Sequence, residues 1–114
     1  MELALTHRSE GGVSVLGVEG EVDVSSAPQL QRELSALQEA GARSVIVDLT
    51  AVGFLDSTGL GALVAARAVA AEAGGTIALV CDQERILKLF TITGLDGAFD
   101  IHPTVESAAR SLAD

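Results

Sequence analysis

Residues 44–75 read SVIVDLTAVGFLDSTGLGALVAARAVAAEAGG, and the change of period inside this stretch sets the fold class. Ser44 to Leu49 is a short β-branched run with little polar interruption, which suits a strand covered on both faces. From Ser57 onward, apolar residues fall at Leu60, Leu63, Val64, Ala68 and Ala71, an i, i+3, i+4 helical series that Gly74 and Gly75 bring to a close. The stretch is a strand-loop-helix unit with Asp56-Ser57-Thr58-Gly59-Leu60-Gly61 at its junction, where the first unpaired helical amides lie. Asp56, Ser57 or Thr58 can cap such a helix, an interaction worth roughly 1 kcal/mol, and capping alone is the commoner reason for these residues. Three of them in a row, followed by two glycines, exceed what a cap requires. Backbone free of side-chain bulk lets another molecule approach closely.

Working outward, Leu3 to Arg8 alternates apolar and polar residues, Glu10-Gly11-Gly12 makes a turn, and Val13 to Glu19 completes a hairpin. Asp23, Ser25 or Ser26 can cap the next helix, with Pro28 in its first turn, Leu30, Leu34 and Leu37 on one stripe, and Gly41 after its end. Beyond the central unit, Thr76 to Cys81 reads as another buried strand and about Gln83 to Thr93 as a helix with Gly94 at its C-cap. Ala98 to Ile101 reads as a short edge strand, and after Pro103 a last helix is capped by Thr104. The pattern β-β-α-β-α-β-α-β-α contains no repeat, linker or low-complexity segment, and its middle demands parallel crossovers. The expectation is one α/β domain over residues 1–114, a mixed four- to five-stranded sheet with helices packed mainly on one face. Gly20 to Asp23 and Asp56 to Gly61 each end a strand and begin a helix, and in parallel α/β units such ends gather on one edge.

Catalytic readings of the junction each lack a required residue. A dinucleotide loop needs a third glycine where Val64 stands, and a phosphate-cradling loop needs a lysine, of which the chain has only Lys88. A hydrolase elbow needs glycine at Leu55, and a serine nucleophile needs a base, for which the chain offers only His7 and His102 in terminal strand regions. A lone edge or loop histidine is usually just solvated. Ser57 without an activating partner is a poor nucleophile but a good phosphate acceptor, and a helix N-terminus favours a phosphoryl group through its dipole and free amides. The sequence therefore points away from an enzyme and names no cofactor or metal.

Composition narrows the partners. The net charge of −9 repels phosphates, which argues against direct binding of DNA or RNA. Cys81 is alone, which excludes an intramolecular disulfide and suits a reducing compartment as a packed thiol. The first residues do not read as a basic, apolar, small-residue leader, so secretion is not expected. The longest apolar stretch, Leu60 to Ala71, is broken by Arg67 and falls short of the ~20 residues that span a bilayer. A cytoplasmic protein without membrane insertion is expected.

At the residues of the junction the chain resembles the STAS domains, most closely the bacterial anti-sigma factor antagonists. Their Asp-Ser-Ser/Thr-Gly-Leu/Ile-Gly hallmark is met by Asp56 to Gly61, their Gly-Glu-Leu/Ile-Asp by Gly20-Glu21-Val22-Asp23, and their Leu-Phe-x-x-x-Gly-Leu is similar to Leu89-Phe90 with Thr93-Gly94-Leu95. The resemblance implies a partner-binding surface of Glu21, Asp23, Asp56, Ser57, Thr58, Gly59, Leu60 and Gly61. It also implies an anti-sigma factor with serine-kinase activity that phosphorylates Ser57, and a metal-dependent serine/threonine phosphatase that reverses the modification. Thr58 is the alternative acceptor, since chemistry alone does not choose between adjacent hydroxyls. Phosphorylation is expected to switch binding off; a non-switching STAS subunit docked on a transporter or signalling complex is the alternative.

Overall fold

The computed structural model describes residues 3–112. Its elements follow the chain as β1 (Ala4–Glu10), β2 (Val13–Val22), α1 (Ala27–Glu39), β3 (Val45–Leu55), α2 (Ser57–Glu72), β4 (Ile77–Val80), α3 (Glu84–Ile92), a 3-10 turn (Leu95–Gly97), β5 (Asp100–His102) and α4 (Val105–Leu112). One five-stranded sheet has the order β1-β2-β3-β4-β5, with β1 and β2 antiparallel and every later pair parallel. The mixed α/β architecture expected from the sequence is the one observed.

The alternating sides of β3 explain its unbroken apolarity. Val45, Val47 and Leu49 face a large core that also holds Leu30 and Leu34 of α1, Leu60 and Leu63 of α2, and Ile86 and Phe90 of α3. Ile46 faces the other way, with Val15, Ala78 and Val80 against Ala108 and Ala109 of α4. Three helices thus cover one face and a short fourth covers part of the other. Phe90 closes the larger core edge-on against Phe99, with ring centroids 5.8 Å apart and planes at 83°, a geometry that adds about 1 kcal/mol to the area the rings bury.

Several boundaries differ from expectation for identifiable reasons. β2 continues through Val22 and β3 through Leu55, because the two strands go on pairing after β4 has stopped. Only Val45 to Asp48 pair with β4, whereas β2 follows β3 as far as Val22 opposite Leu55. The tail of β3 is thus covered unevenly: Val52 and Leu55 are buried while Ala51, Gly53 and Phe54 are exposed. The last strand begins at Asp100 and not Ala98, since Leu95 to Gly97 winds into the 3-10 turn and its Leu95 carbonyl holds the Ala98 and Phe99 amides.

Candidate functional site

The ends of β2 and β3 lie side by side, with Glu21 opposite Phe54, Val22 opposite Leu55, and the Asp56 amide donating to the Val22 carbonyl at 3.2 Å. This pairing brings Gly20–Asp23 and Asp56–Gly61 onto one edge, as the two motifs require. On the β3 side, Asp56 is the N-cap of α2, and its Oδ1 accepts from the Thr58 amide at 3.0 Å and the Gly59 amide at 3.1 Å. On the β2 side, Asp23 Oδ1 accepts from the Ser25 hydroxyl at 2.8 Å and from the amides of Ser25 and Ser26. These bonds, the Ser25 hydroxyl first, hold the Asp23 carboxyl below its ordinary value. Buried Ser26 completes the corner by donating to the Glu21 carbonyl at 2.7 Å. α1 starts from this Asp23-centred turn, and Ser26 at the N-cap makes no side-chain cap bond of its own.

Ser57 and Thr58 are both exposed at the first turn of α2, and among the described residues neither hydroxyl has a hydrogen-bond partner. Asp56 already occupies the amides of Thr58 and Gly59, so two of the amides that a bare helix start would offer to an anion are taken. The Asp56 carboxylate adds a negative charge beside the Ser57 hydroxyl.

Two residues placed in the partner surface on sequence grounds are buried. Leu60 is 5% exposed and belongs to the large core. Gly59 is also buried, and a Cβ on it would stand 2.5 Å from Leu55 Cδ1 and 2.7 Å from Val22 Cγ1. Its missing side chain serves the close packing of α2 on the two strand ends. Gly61 is the reverse case, exposed and with open space where a Cβ would go. Exposed or half-exposed on this edge are Glu21, Asp23, Asp56, Ser57, Thr58 and Gly61, together with Val24 and Phe54. Sequence patterning missed those two; an apolar residue directly after Asp23 and one beside Leu55 were the available signals.

Neither histidine serves Ser57. His7 Nε2 lies 3.1 Å from Glu33 of α1. His102 is not merely solvated: Nδ1 is 2.8 Å from Ser107 Oγ, and Nε2 is 3.0 Å from Asp100 Oδ2. His102 and then Ser111 hold the Asp100 carboxyl below its ordinary value. Cys81 is a buried thiol whose burial pushes its titration up. Among the described residues no three His, Cys, Asp or Glu side chains are grouped to hold a metal, and no helix is long and apolar enough to cross a membrane.

A five-stranded mixed sheet, with a capped, hydroxyl-bearing helix start beside a second acidic turn, defines a STAS domain. The chain belongs to that family, matching it over residues 5–108. It is 37% identical over 103 residues to the anti-sigma-B factor antagonist of Bacillus subtilis, covering 90% of this chain and 93% of that one. Among solved structures it superimposes with a TM-score of 0.90 on an anti-sigma factor antagonist from Mycobacterium paratuberculosis, at 30% identity and over 98% and 95% of the two chains. The unphosphorylated form of the anti-sigma factor antagonist SpoIIAA shares the fold, with a TM-score of 0.73 at 19% identity over 95% and 96% of the chains.

Proposed function

We propose that this chain is an anti-sigma factor antagonist: it binds an anti-sigma factor through the edge formed by Glu21 to Val24 and Phe54 to Gly61, and so frees a sigma factor. The observation that carries the reading is the exposed, unpartnered Ser57 hydroxyl on a helix start fixed by Asp56, in a chain whose relatives bear that function by name. Ser57 is the phosphate acceptor, and the anti-sigma factor is the serine kinase that modifies it. The catalytic base belongs to the kinase, as phosphoryl transfer from such enzymes requires, and Asp56 Oδ1 serves the helix cap. A serine/threonine phosphatase restores the hydroxyl. The chain itself is not a catalyst and acts in the cytoplasm as one domain.

The physics of the switch is a charge inserted under a partner. Phosphorylation adds about −1.5 to −2 charge at a position already next to a carboxylate. A partner closing over it must desolvate that charge without compensation, and ~4 kcal/mol of such cost weakens a complex a thousandfold. The fold need not change.

The test is intact-mass and phosphopeptide spectrometry after incubation with Mg-ATP and the anti-sigma kinases of the same genome. One phosphate on Ser57 supports the reading, and a phosphate on Thr58 overturns the site assignment. Absence of modification, with stable binding to a transporter or scaffold subunit, replaces the switch by static docking.

A further inference from the structure

From Leu49 onward β3 has lost β4 as a partner, and its carbonyls on that side would be left without donors. One side chain supplies them. Gln83, at the N-cap of α3, points its amide nitrogen at the carbonyls of Leu49, Thr50 and Val52, each at 2.9 Å. Two N–H groups serve three acceptors, so one bond is shared. The amide oxygen is also committed, accepting from the Asp82 amide at 3.2 Å and facing Cys81 Sγ at 3.4 Å. Gln83 is thereby held from both ends, and its own carbonyl receives the Ile86 and Leu87 amides that start α3.

The opposite edge of the same segment pairs with β2, but not regularly. The β2-β3 ladder shifts register twice, between Gly17 and Glu19 and between Gly20 and Glu21. Such irregularities bend the strand and sharpen its twist, so the direction of the tail is set locally and not by a regular ladder. Among the described residues, the side-chain hydrogen bonds that tie the β3 tail to the β4-α3 half all come from Gln83. Val52, the last of the three anchored residues, stands five positions before Ser57 along nearly extended chain. A different path for the tail therefore displaces Asp56, its two capped amides and the Ser57 hydroxyl together.

We infer that Gln83 is a positioning residue for Ser57: it fixes the path of β3 beyond β4 and so sets where the acceptor hydroxyl is presented. Its bearing on phosphoryl acceptance rests on the function proposed above, while its effect on the junction stands apart from any partner. Without the clamp, the junction visits the competent arrangement only part of the time. Apparent affinity for the kinase falls in proportion to that fraction, whereas the rate within the bound complex is kept. A junction competent one-tenth of the time raises KM about tenfold with kcat unchanged.

The test uses the full chain with Gln83→Met, which keeps length but has no donor, and Gln83→Glu, which donates only when protonated. Hydrogen-exchange protection at the Asp56 and Gly59 amides is expected to drop about tenfold or more in Gln83→Met, with the Val47 and Leu79 amides unchanged. In Gln83→Glu the same loss at pH 7.5 is expected to reverse as the pH falls toward 5 and the carboxyl becomes a donor, a recovery the Met variant cannot show. With the kinase, KM is expected to rise and kcat to hold. Unchanged protection at Asp56 and Gly59, a loss spread evenly over the sheet, or wild-type KM in Gln83→Met overturns the inference. If the wild-type chain accepts no phosphate on Ser57, the proposed switch fails instead, and the exchange arm still decides whether Gln83 sets the junction. Should Gln83→Met not fold, the pH-reversible arm of Gln83→Glu carries the decision alone.

Discussion

Replacing Asp56 separates two contributions that its carboxylate makes at once. It accepts two amide hydrogen bonds, at 3.0 and 3.1 Å, and it places a negative charge at the positive end of α2. Losing an N-cap of this kind costs about 1 kcal/mol, and losing the favourable charge adds roughly 0.5 kcal/mol at low salt. Asp56→Ala removes both, about 1.5 kcal/mol in total. For 114 residues, an unfolding entropy of ~2.1 cal/mol/K per residue amounts to about 0.24 kcal/mol/K, so the Ala variant should melt about 6 °C lower. Asp56→Asn keeps an oxygen acceptor and loses only the charge, and should melt about 2 °C lower. Thermal melts by circular dichroism at low salt and in 0.5 M NaCl measure both, and salt should narrow the gap between wild type and Asn but not the gap between Asn and Ala. Equal melting temperatures for the Asn and Ala variants would refute the cap as the reason for Asp56. The Asn variant also removes the carboxylate from beside Ser57, so its phosphorylated form should lose less partner affinity than phosphorylated wild type.

The two junction glycines should respond in opposite directions. Gly59→Ala forces a methyl toward Leu55 and the stiff Val22 side chain and should cost about 1–3 kcal/mol in urea unfolding, whereas Gly61→Ala, with open space at its Cβ and helical neighbours on both sides, should be stabilising by up to ~1 kcal/mol. Ser57→Ala should bind the anti-sigma factor permanently and Ser57→Asp weakly, with the Asp effect the smaller because it carries half the phosphate charge; equal dissociation constants by calorimetry would remove Ser57 from the switch. Because Asp100 titrates below its ordinary value in the folded chain, its contribution to stability is complete above the unfolded carboxylate value and is lost as pH falls through the folded one. Asp100→Asn should accordingly flatten the acid limb of a stability-pH profile below about pH 4, and a limb of unchanged slope would show that the pairing with His102 and Ser111 has no linkage to folding.

Much of this architecture was legible because its helices announce their beginnings. Asp56 caps α2 and Thr104 caps α4 through local bonds that depend only on nearby residues. The tail of β3 was not legible because its run of Thr50, Ala51, Val52, Gly53 and Phe54 mixes buried and exposed positions without strict alternation, the consequence of pairing on one edge alone. Leu60 was recognised as part of a helical stripe and also assigned to the partner surface; burial allows only the first. Gln83 looked like an ordinary helix start, since a side chain that reaches three carbonyls on another strand leaves no local signal. The exposed hydroxyls of Ser57 and Thr58 at the start of α2 were legible from the residues around them, while apolar Val24 and Phe54 became visible only when the two strand ends were set beside each other.

The strand order along the sheet repeats the strand order along the chain. Each new strand therefore has its neighbour already waiting when it emerges, and the loop it must close is no longer than one helix and its connections, which keeps the entropic cost of every closure small. A polypeptide leaving the ribosome can lay down this sheet from one edge to the other without holding an unpaired strand in reserve for a distant partner. The helix that follows β5, α4, packs across residues of β2, β3 and β4 at once. Assembly can thus run in the direction of synthesis, with α4 as the seal over that face of the sheet.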